Sequence, residues 1–515
     1  MQSHNSRTTH HRASRSKRPW LKLLLLPIVT AGLGGCTVGP NYHAPQTETP
    51  LSWRTATVAN ATTMPTSSNG PRLIVSQESV DLTDWWTVLG DKTLDSLLSQ
   101  AIQKNLDMRA AIERVNQARA LRGVARSQLL PTVDAVGSYQ RSRISPNSPI
   151  GQQISKHTSD DWQAGFDANW ELDLFGRIRR GVEAANADLE ALEDARRDVL
   201  VRLLAETARN YVELRAAQRR VAIANDTLKS QRDTLELVRA RRVAGAVGDL
   251  DVSRAAADVR TTEATIPSLQ GDIDEAIFNI GVLLGQEPEL LYDQLVVAQP
   301  IPIPATAVPV GLPSDLLRRR PDIRQAERAL AAATARIGVA TADFYPRVSL
   351  TGSFVMDATK FSKLGNWDSR QFGIGPTVAW NVFDAGRIAN NVRFTEARQR
   401  EALVQYQQVV LDSLKETETA ISRYTKEFAR RRSLEQAVSE NERSVSLAKD
   451  QYQAGSIDLL QVLDTQRNLF ASQDQLARSD QTISTELIAL YKSLGGGWQG
   501  HDPDEKPSSA SAAAD

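Results

Sequence analysis

Few residues of this chain are equipped for covalent or metal chemistry, and their placement narrows what that chemistry is. The 515-residue sequence has one cysteine, Cys36, so it has no internal disulfide and no cysteine-based metal cluster. Its six histidines are His4, His10, His11, His43, His157 and His501, and none falls between 158 and 500. A histidine base, relay or zinc site is thereby excluded from most of the chain. Acid pairs such as Asp160-Asp161 lie next to a predicted strand with no accompanying nucleophile or base pattern, which argues against an envelope hydrolase. The expectation is a protein that is not an enzyme and carries no cofactor. Formal charge balances at 61 against 61, but residues 1–35 hold six basic residues and no acid, so the remainder is about −6. That balance argues against nucleic-acid binding, which needs a basic footprint.

The one thiol has a distinctive setting. A basic stretch (Arg7 to Lys22) is followed by the apolar run Leu21, Leu23–Leu26, Ile28 and Val29, then by Leu33-Gly34-Gly35-Cys36. This is the layout of a secretory signal over residues 1–35, with an apolar run too short for a typical spanning helix. Leu-Gly-Gly-Cys resembles a bacterial lipobox, which makes Cys36 the lipidated first residue of the mature chain; a free thiol at a loop start is the plainer alternative. Thr37, rather than an aspartate, favours the outer membrane by analogy with lipoprotein sorting. Acyl chains tether a protein without making it span. No later segment reads as a spanning helix, so any crossing of the membrane must be made by strands.

An internal repeat positions everything else. Asn105-Leu106-Asp107-Met108-Arg109, Leu130-Pro131, Trp170…Gly176-Arg177-Ile178, Ala244-Gly245 and Leu284-Gly285 recur in the same order. Their counterparts are Arg320-Pro321-Asp322-Ile323-Arg324, Tyr345-Pro346, Trp380…Gly386-Arg387-Ile388, Ala454-Gly455 and Leu494-Gly495. The offset is 215 at the aspartates and prolines and 210 from the tryptophan to the last Leu-Gly, with one residue of slip at Asp249/Asp458. Five landmarks in one order imply a duplicated unit.

Each unit holds a strand pair. Trp162, Ala164, Phe166, Ala168, Trp170, Leu172 and Leu174 alternate with Gln163, Gly165, Asp167, Asn169, Glu171 and Asp173, giving a two-faced strand over 162–174. Its partner follows Pro131, and the second unit repeats the pattern from Arg347 and again to Val382, with Pro376 marking a bulge or an unpaired edge. These strands are long enough to span a bilayer. A soluble sheet over a core is the alternative. Four strands are too few for a closed barrel and open edges cannot exist in lipid, so spanning requires several chains. The polar residues Asp167, Asn169, Glu171 and Asp173 would then line a hydrated lumen.

The rest is helix. Leu214, Val221, Leu228 and Leu235 recur every seven residues between Arg177 and Val243, and Leu414, Ile421 and Phe428 do so after Arg387. Such spacing marks coiled-coil packing, and 67 residues make a rod of about 100 Å. Leading helices (105–128, 322–343) and return helices (249–284, 459–494) stacked end to end nearly match one long helix. Pro267 should kink the first return helix. The glycine-containing turns 244–249 and 454–458 become hairpin tips.

Together these landmarks resemble the outer-membrane factor family, in its lipoprotein branch that serves tripartite efflux systems of the resistance-nodulation-division type. The resembling residues are Cys36-Thr37-Val38-Gly39-Pro40-Asn41-Tyr42, Asp84-Trp85-Trp86 with Gly90-Asp91, and the paired strand-to-helix turns at Gly176, Arg177, Gly386 and Arg387. Tyr452-Gln453-Ala454-Gly455, Val462-Leu463-Asp464-Thr465-Gln466-Arg467 and Leu494-Gly495-Gly496-Gly497-Trp498 complete the match.

The resemblance implies an α+β membrane protein. Three chains build a homotrimeric twelve-stranded outer-membrane β-barrel, continued by an α-helical coiled-coil periplasmic barrel. Its layout would be 36–104 as lipidated segment and start of the equatorial region, 105–285 and 320–495 as repeats, 286–319 as linker and 496–515 as tail. The implied function is a passive exit duct for an inner-membrane pump and a periplasmic adaptor. By position, Tyr452, Leu460, Asp464 and Arg467 are the periplasmic gate, with Leu460 and Asp464 four apart on one helical face. On a threefold axis Leu460 would become an apolar constriction and Asp464 an anionic collar. Gly245, Gly248, Asp249, Gly455 and Asp458 would meet the adaptor. A lipid-anchored coiled-coil scaffold without a pore is the competing reading, and it differs in whether the strands enter lipid.

Overall fold

The computed structural model describes residues 37–54, 73–75, 81–304 and 308–501. Cys36, the signal segment 1–35 and residues 502–515 of the tail lie outside the described residues. The chain falls into two compact units. One holds the segment up to Asn41 with Val124–Glu183 and Thr334–Glu396; the other holds Tyr42–Gly123, Ala184–Ala333 and the chain from Ala397 onward.

The first unit is built on a sheet of four antiparallel strands in the order β2-β3-β5-β6. These are β2 (Thr132–Arg143), β3 (Thr158–Leu172), β5 (Arg347–Ala358) and β6 (Arg370–Ala379). In the other unit, β1 (Leu73–Val75) runs parallel to β4 (Val308–Val310). Register turns alternation along single strands into two continuous sheet faces. Ala135, Phe166, Phe354 and Phe372 lie opposite one another in one row, and Val133, Ala168, Gly352 and Ile374 in the next. Asp134, Asp167, Ser353 and Gly373 form a row of the other face. Val133, Phe166, Phe372 and Ile374 are exposed, so within this chain the apolar face is uncovered. β6 is an edge strand, the position that Pro376 tolerates without breaking a ladder.

Strands β3 and β6 stop earlier than the alternation suggests, at Leu172 and Ala379. Beyond them the chain is already turning to start a long helix, so Leu174 and Val382 are turn residues. Two long helices follow, Arg177–Val243 and Arg387–Gln453, of 67 residues each. The leading helices are Leu106–Ser127 and Pro321–Ala342; the return helices are Asp249–Leu283 and Leu459–Ser493. The leading helices end before Pro131 and Pro346, because a residue preceding proline is held out of the helical region. The return helix stays continuous through Pro267, which is exposed, so the carbonyl it leaves without a donor can face water.

The heptad residues are where packing needs them. Leu214, Leu228, Leu235 and Ile421 are buried, in two separate apolar clusters along the helices. A further helix, Lys92–Lys104, is capped by the Asp91 carboxylate, which accepts from the backbone of Thr93 and Leu94. Trp85 stacks on Tyr491 with ring centres 5.2 Å apart, and Trp498 donates its indole N–H to the Arg319 carbonyl at 3.0 Å.

Each leading helix begins where a return helix ends. Asn105 donates to the Leu283 carbonyl at 2.8 Å and accepts from the Met108 amide at 2.8 Å. Arg320 donates to the Ser493 carbonyl at 3.0 Å and holds Asp322 and Glu416. The buried Asn105 thus satisfies one helix end and starts the next. Asn105→Ala is expected to cost about 1–3 kcal/mol by orphaning the Leu283 carbonyl and the cap. Asn105→Asp, which keeps the cap and loses the donor, should recover part of that loss in thermal unfolding followed by circular dichroism.

Candidate functional site

The residues singled out by the sequence fall at two places, the strand-to-helix turns and the hairpin tips. At the first turn Gly176 has φ 82°, and at the second Gly386 has φ 86°, a left-handed region that other residues enter at a cost. The opening amides of each long helix are satisfied by an aspartate just upstream. Asp173 accepts from the Ile178 amide at 3.1 Å and the Arg179 amide at 2.8 Å. Asp384 accepts from the Ile388 amide at 2.8 Å and the Gly386 amide at 3.0 Å. Arg177 grips Glu171 with two bonds, 2.8 and 3.0 Å, while Arg387 lies 3.9 Å from Asp384. The tryptophans of these motifs also have matched roles. Trp170 donates to the Leu129 carbonyl at 2.9 Å and Trp380 to the Phe344 carbonyl at 3.0 Å, each acceptor two residues before the proline.

Both carboxylates of the first turn are engaged: Glu171 by the Arg177 side chain, and Asp173 by the first amides of the long helix, which attract a carboxylate. Asp167 and Asn169 remain exposed on the polar face.

The segment directly after Cys36 packs under the first turn. The Val38 amide donates to the Phe175 carbonyl at 3.1 Å. The buried Arg180 donates to the carbonyls of Val38 and Gly39 and, at 2.7 Å, to the Asn41 side chain. Thr37 lies so close to Gly176 that a Cβ there would sit 2.8 Å from its side chain. Tyr42 then donates to Glu327 at 2.9 Å.

At the tips, Gly245 (φ 75°) and Gly455 (φ 76°) close their helices with the same pair of bonds. Gly245 and Ala246 amides donate to Arg242 and Arg241 carbonyls, and Gly455 and Ser456 amides to Tyr452 and Gln451 carbonyls. Gly248 does not need to be glycine for its backbone. Its φ is −90°, ordinary extended geometry at the cap of the return helix. Asp249 is held by Arg242 at 2.7 Å, and Asp458 occupies the corresponding cap without a side-chain bond.

The four residues expected to form a gate, Tyr452, Leu460, Asp464 and Arg467, share one tip but differ in environment. Tyr452 is buried in the apolar cluster of Leu235, Val238, Val259, Val462 and Leu463, with its hydroxyl unpartnered. Its polar contact runs through the ring instead: the Arg241 guanidinium sits over it at 4.3 Å and donates to the Gln453 carbonyl at 2.8 Å. Leu460 is 44% exposed and lies outside the apolar cluster that holds Tyr452. Asp464 lies 3.3 Å from Arg467, both about half exposed. Arg467 also reaches across to Asp258 on the first return helix, at 2.7, 3.1 and 3.2 Å. That hydrogen bond raises Arg467 above the ordinary guanidinium range.

Asp258 and Arg241 were missed by sequence reasoning, as was Gln466. Gln466 is buried and donates to Ser230 and Thr234 hydroxyls on the first long helix at 3.1 and 3.0 Å. A signal for Asp258 existed. It precedes Arg467 by 209 residues, the offset of Asp249 and Asp458, so the ion pair joins equivalent places of the two return helices. Arg467 and Gln466 thus tie the second hairpin to the first.

The chain matches the family model described as outer membrane efflux protein over residues 97–286 and 312–496. It is 31% identical to nodulation protein T of Rhizobium leguminosarum bv. trifolii, over 92% of this chain and 97% of that protein. It is 30% identical to the cation efflux system protein CusC of Escherichia coli O6:H1, over 92% and 99%. Among solved structures, the outer-membrane channel OprN superposes with a TM-score of 0.82 at 36% identity, over 90% of this chain and all of that one.

The two carboxylates around Arg467 should not be equivalent. Asp258→Asn, at the less exposed partner with the three shorter contacts, should speed hydrogen exchange of the tip amides about tenfold. Asp464→Asn, at a half-exposed pair, should change it by about twofold or less.

Proposed function

From the membership of this chain in the outer membrane efflux protein family, we propose a specific working assembly. The protein is an outer-membrane channel of a tripartite efflux system in a Gram-negative bacterium, reaching into the periplasm. It conducts passively; the energy comes from an inner-membrane pump, with a periplasmic adaptor between them. Three copies close a twelve-stranded barrel, and acylation of Cys36 anchors each copy.

The uncovered two-faced sheet carries this reading. Its apolar face is exposed and its outer strands, β2 and β6, have free edges, a combination that lipid does not tolerate in a single chain. Closing β6 of one copy on β2 of the next removes every edge. Aromatic residues bound the apolar face at both ends, Trp162 with Tyr139 and Phe361 at the loop end and Trp170 and Trp380 at the helix end. From Trp162 to Trp170 is about 26 Å along a strand, near the height of the apolar band of outer-membrane barrels. Exposed Leu106 and Leu121 on the first leading helix, and Val404 and Leu411 on the second long helix, provide apolar surface for contacts between copies. Equal lengths of the paired helices support the tandem layout of 105–285 and 320–495.

The gate is read from the tip contacts. Moving the second hairpin away from the first must break Arg467–Asp258 and lift Tyr452 from beneath Arg241. In the closed trimer Leu460 narrows the axis and Asp464 forms a cationic-selective collar. The tips Gly245, Gly248, Asp249, Gly455 and Asp458 present the adaptor surface, in which Asp249 is already paired with Arg242.

Single-channel conductance of the purified trimer in a planar bilayer tests the proposal. Wild type should conduct weakly, and Leu460→Ala/Asp464→Ala should raise the conductance. A pore unchanged by the double substitution would relocate the gate. Inserted, trimeric protein that conducts in neither form would favour the scaffold.

A further inference from the structure

The apolar face of the sheet does not end in neutral residues at its loop end. On β2 the series Val133, Ala135, Gly137, Tyr139 continues into Arg141 and Arg143, which lie opposite Asp160 and Thr158 of β3. On β6 the series that contains Ile374 and Phe372 begins at Arg370, opposite Met356 of β5. Three guanidinium groups therefore stand in the register of the bilayer-facing side chains, just beyond the aromatic residues. Below them Tyr139 and Trp162 pack with ring centres 4.2 Å apart, and Arg370 itself lies over Trp367 at 4.5 Å.

Little in the chain neutralises these charges. Asp160 lies 3.7 Å from Arg141 in an exposed, long ion pair, and it also accepts from the Tyr139 hydroxyl. Arg370 donates one N–H to the Trp367 carbonyl at 2.7 Å, which leaves further donors of its fork unused. Arg143 has no ion-pair partner among the described residues of this chain. An arginine at this depth is tolerated when it meets an anion at the membrane interface.

The three sit on the two edge strands, β2 and β6. β2 reaches the loop end at Arg143 and β6 leaves it at Arg370, so closure of neighbouring copies brings them to one seam. We propose that Arg141 and Arg143 of one subunit and Arg370 of the next bind the phosphate groups of an outer-leaflet glycolipid, whose acyl chains lie on the exposed apolar face. The planar guanidinium fork matches a phosphate, and the aromatic shelf suits the sugar and the head of the acyl chains. This site rests on the trimeric barrel proposed above.

Native mass spectrometry of the detergent-solubilised trimer, titrated with bisphosphorylated lipid A, tests it. Up to three lipid A molecules should be retained, one per seam. Removing both phosphates from the lipid, or substituting R141Q/R143Q/R370Q, should weaken retention about tenfold or more. R141K/R143K/R370K, which keep the charge and lose the fork, should fall between wild type and the glutamine variant. Equal retention of phosphorylated and phosphate-free lipid A overturns the proposal, as does retention indifferent to the glutamine substitutions. Inorganic phosphate binding as well as lipid A would overturn the lipid assignment. If the glutamine variant does not assemble, the comparison of the two lipids on wild type decides. Wild-type protein that fails to form a conducting trimer counts against the channel itself. A conducting trimer whose lipid retention ignores the arginines counts only against this site.

Discussion

A helix end leaves carbonyls and amides without partners, and this chain is organised around hiding them. The 35-residue return helices end at Leu283 and Ser493, and each final turn meets the side chain that opens a leading helix. Asn105 does this with a neutral amide, Arg320 with a charge shared between Asp322 and Glu416. Each joint satisfies the end of one helix with the residue that opens another. Without these joints, each unpaired buried group at a helix end would cost about 1–3 kcal/mol.

The same problem is solved differently where strands become helices. Asp173 and Asp384 reach forward to the first amides while a glycine in the left-handed region releases the chain. The aspartate stands three residues before the glycine in one turn and two in the other, so the role is kept although the spacing is not. The residues that follow Cys36 pack beneath the first of these turns through Arg180. The segment Val38–Asn41 and the strand-to-helix turn are therefore linked directly by hydrogen bonds.

At the hairpin tips the ties differ in exposure. Arg467 pairs with the buried Asp258 and with the half-exposed Asp464, and Arg241 lies over the Tyr452 ring beside an apolar cluster. The Asp464 pair stabilises by little because water screens it, whereas the Asp258 pair is screened less. Gln466 adds a further tie, through a buried bond to Thr234 and a part-buried one to Ser230.

Much of this was legible in the sequence. Period-two and period-seven patterns determined the strands, the long helices and their buried residues, because each element's hydrophobic period follows from its own geometry. The repeated Trp…Gly-Arg and Ala-Gly landmarks located both kinds of turn, and the resemblance located the family. Strand ends, the employment of Glu171 and Asp173, the ordinary backbone of Gly248 and the partners of Arg467 and Tyr452 were decided only by the tertiary structure. The reason is physical: periodicity reports which face of an element is apolar. The partner of a particular guanidinium or carboxylate depends on which distant turns of helix come to rest beside it, and no local pattern encodes that.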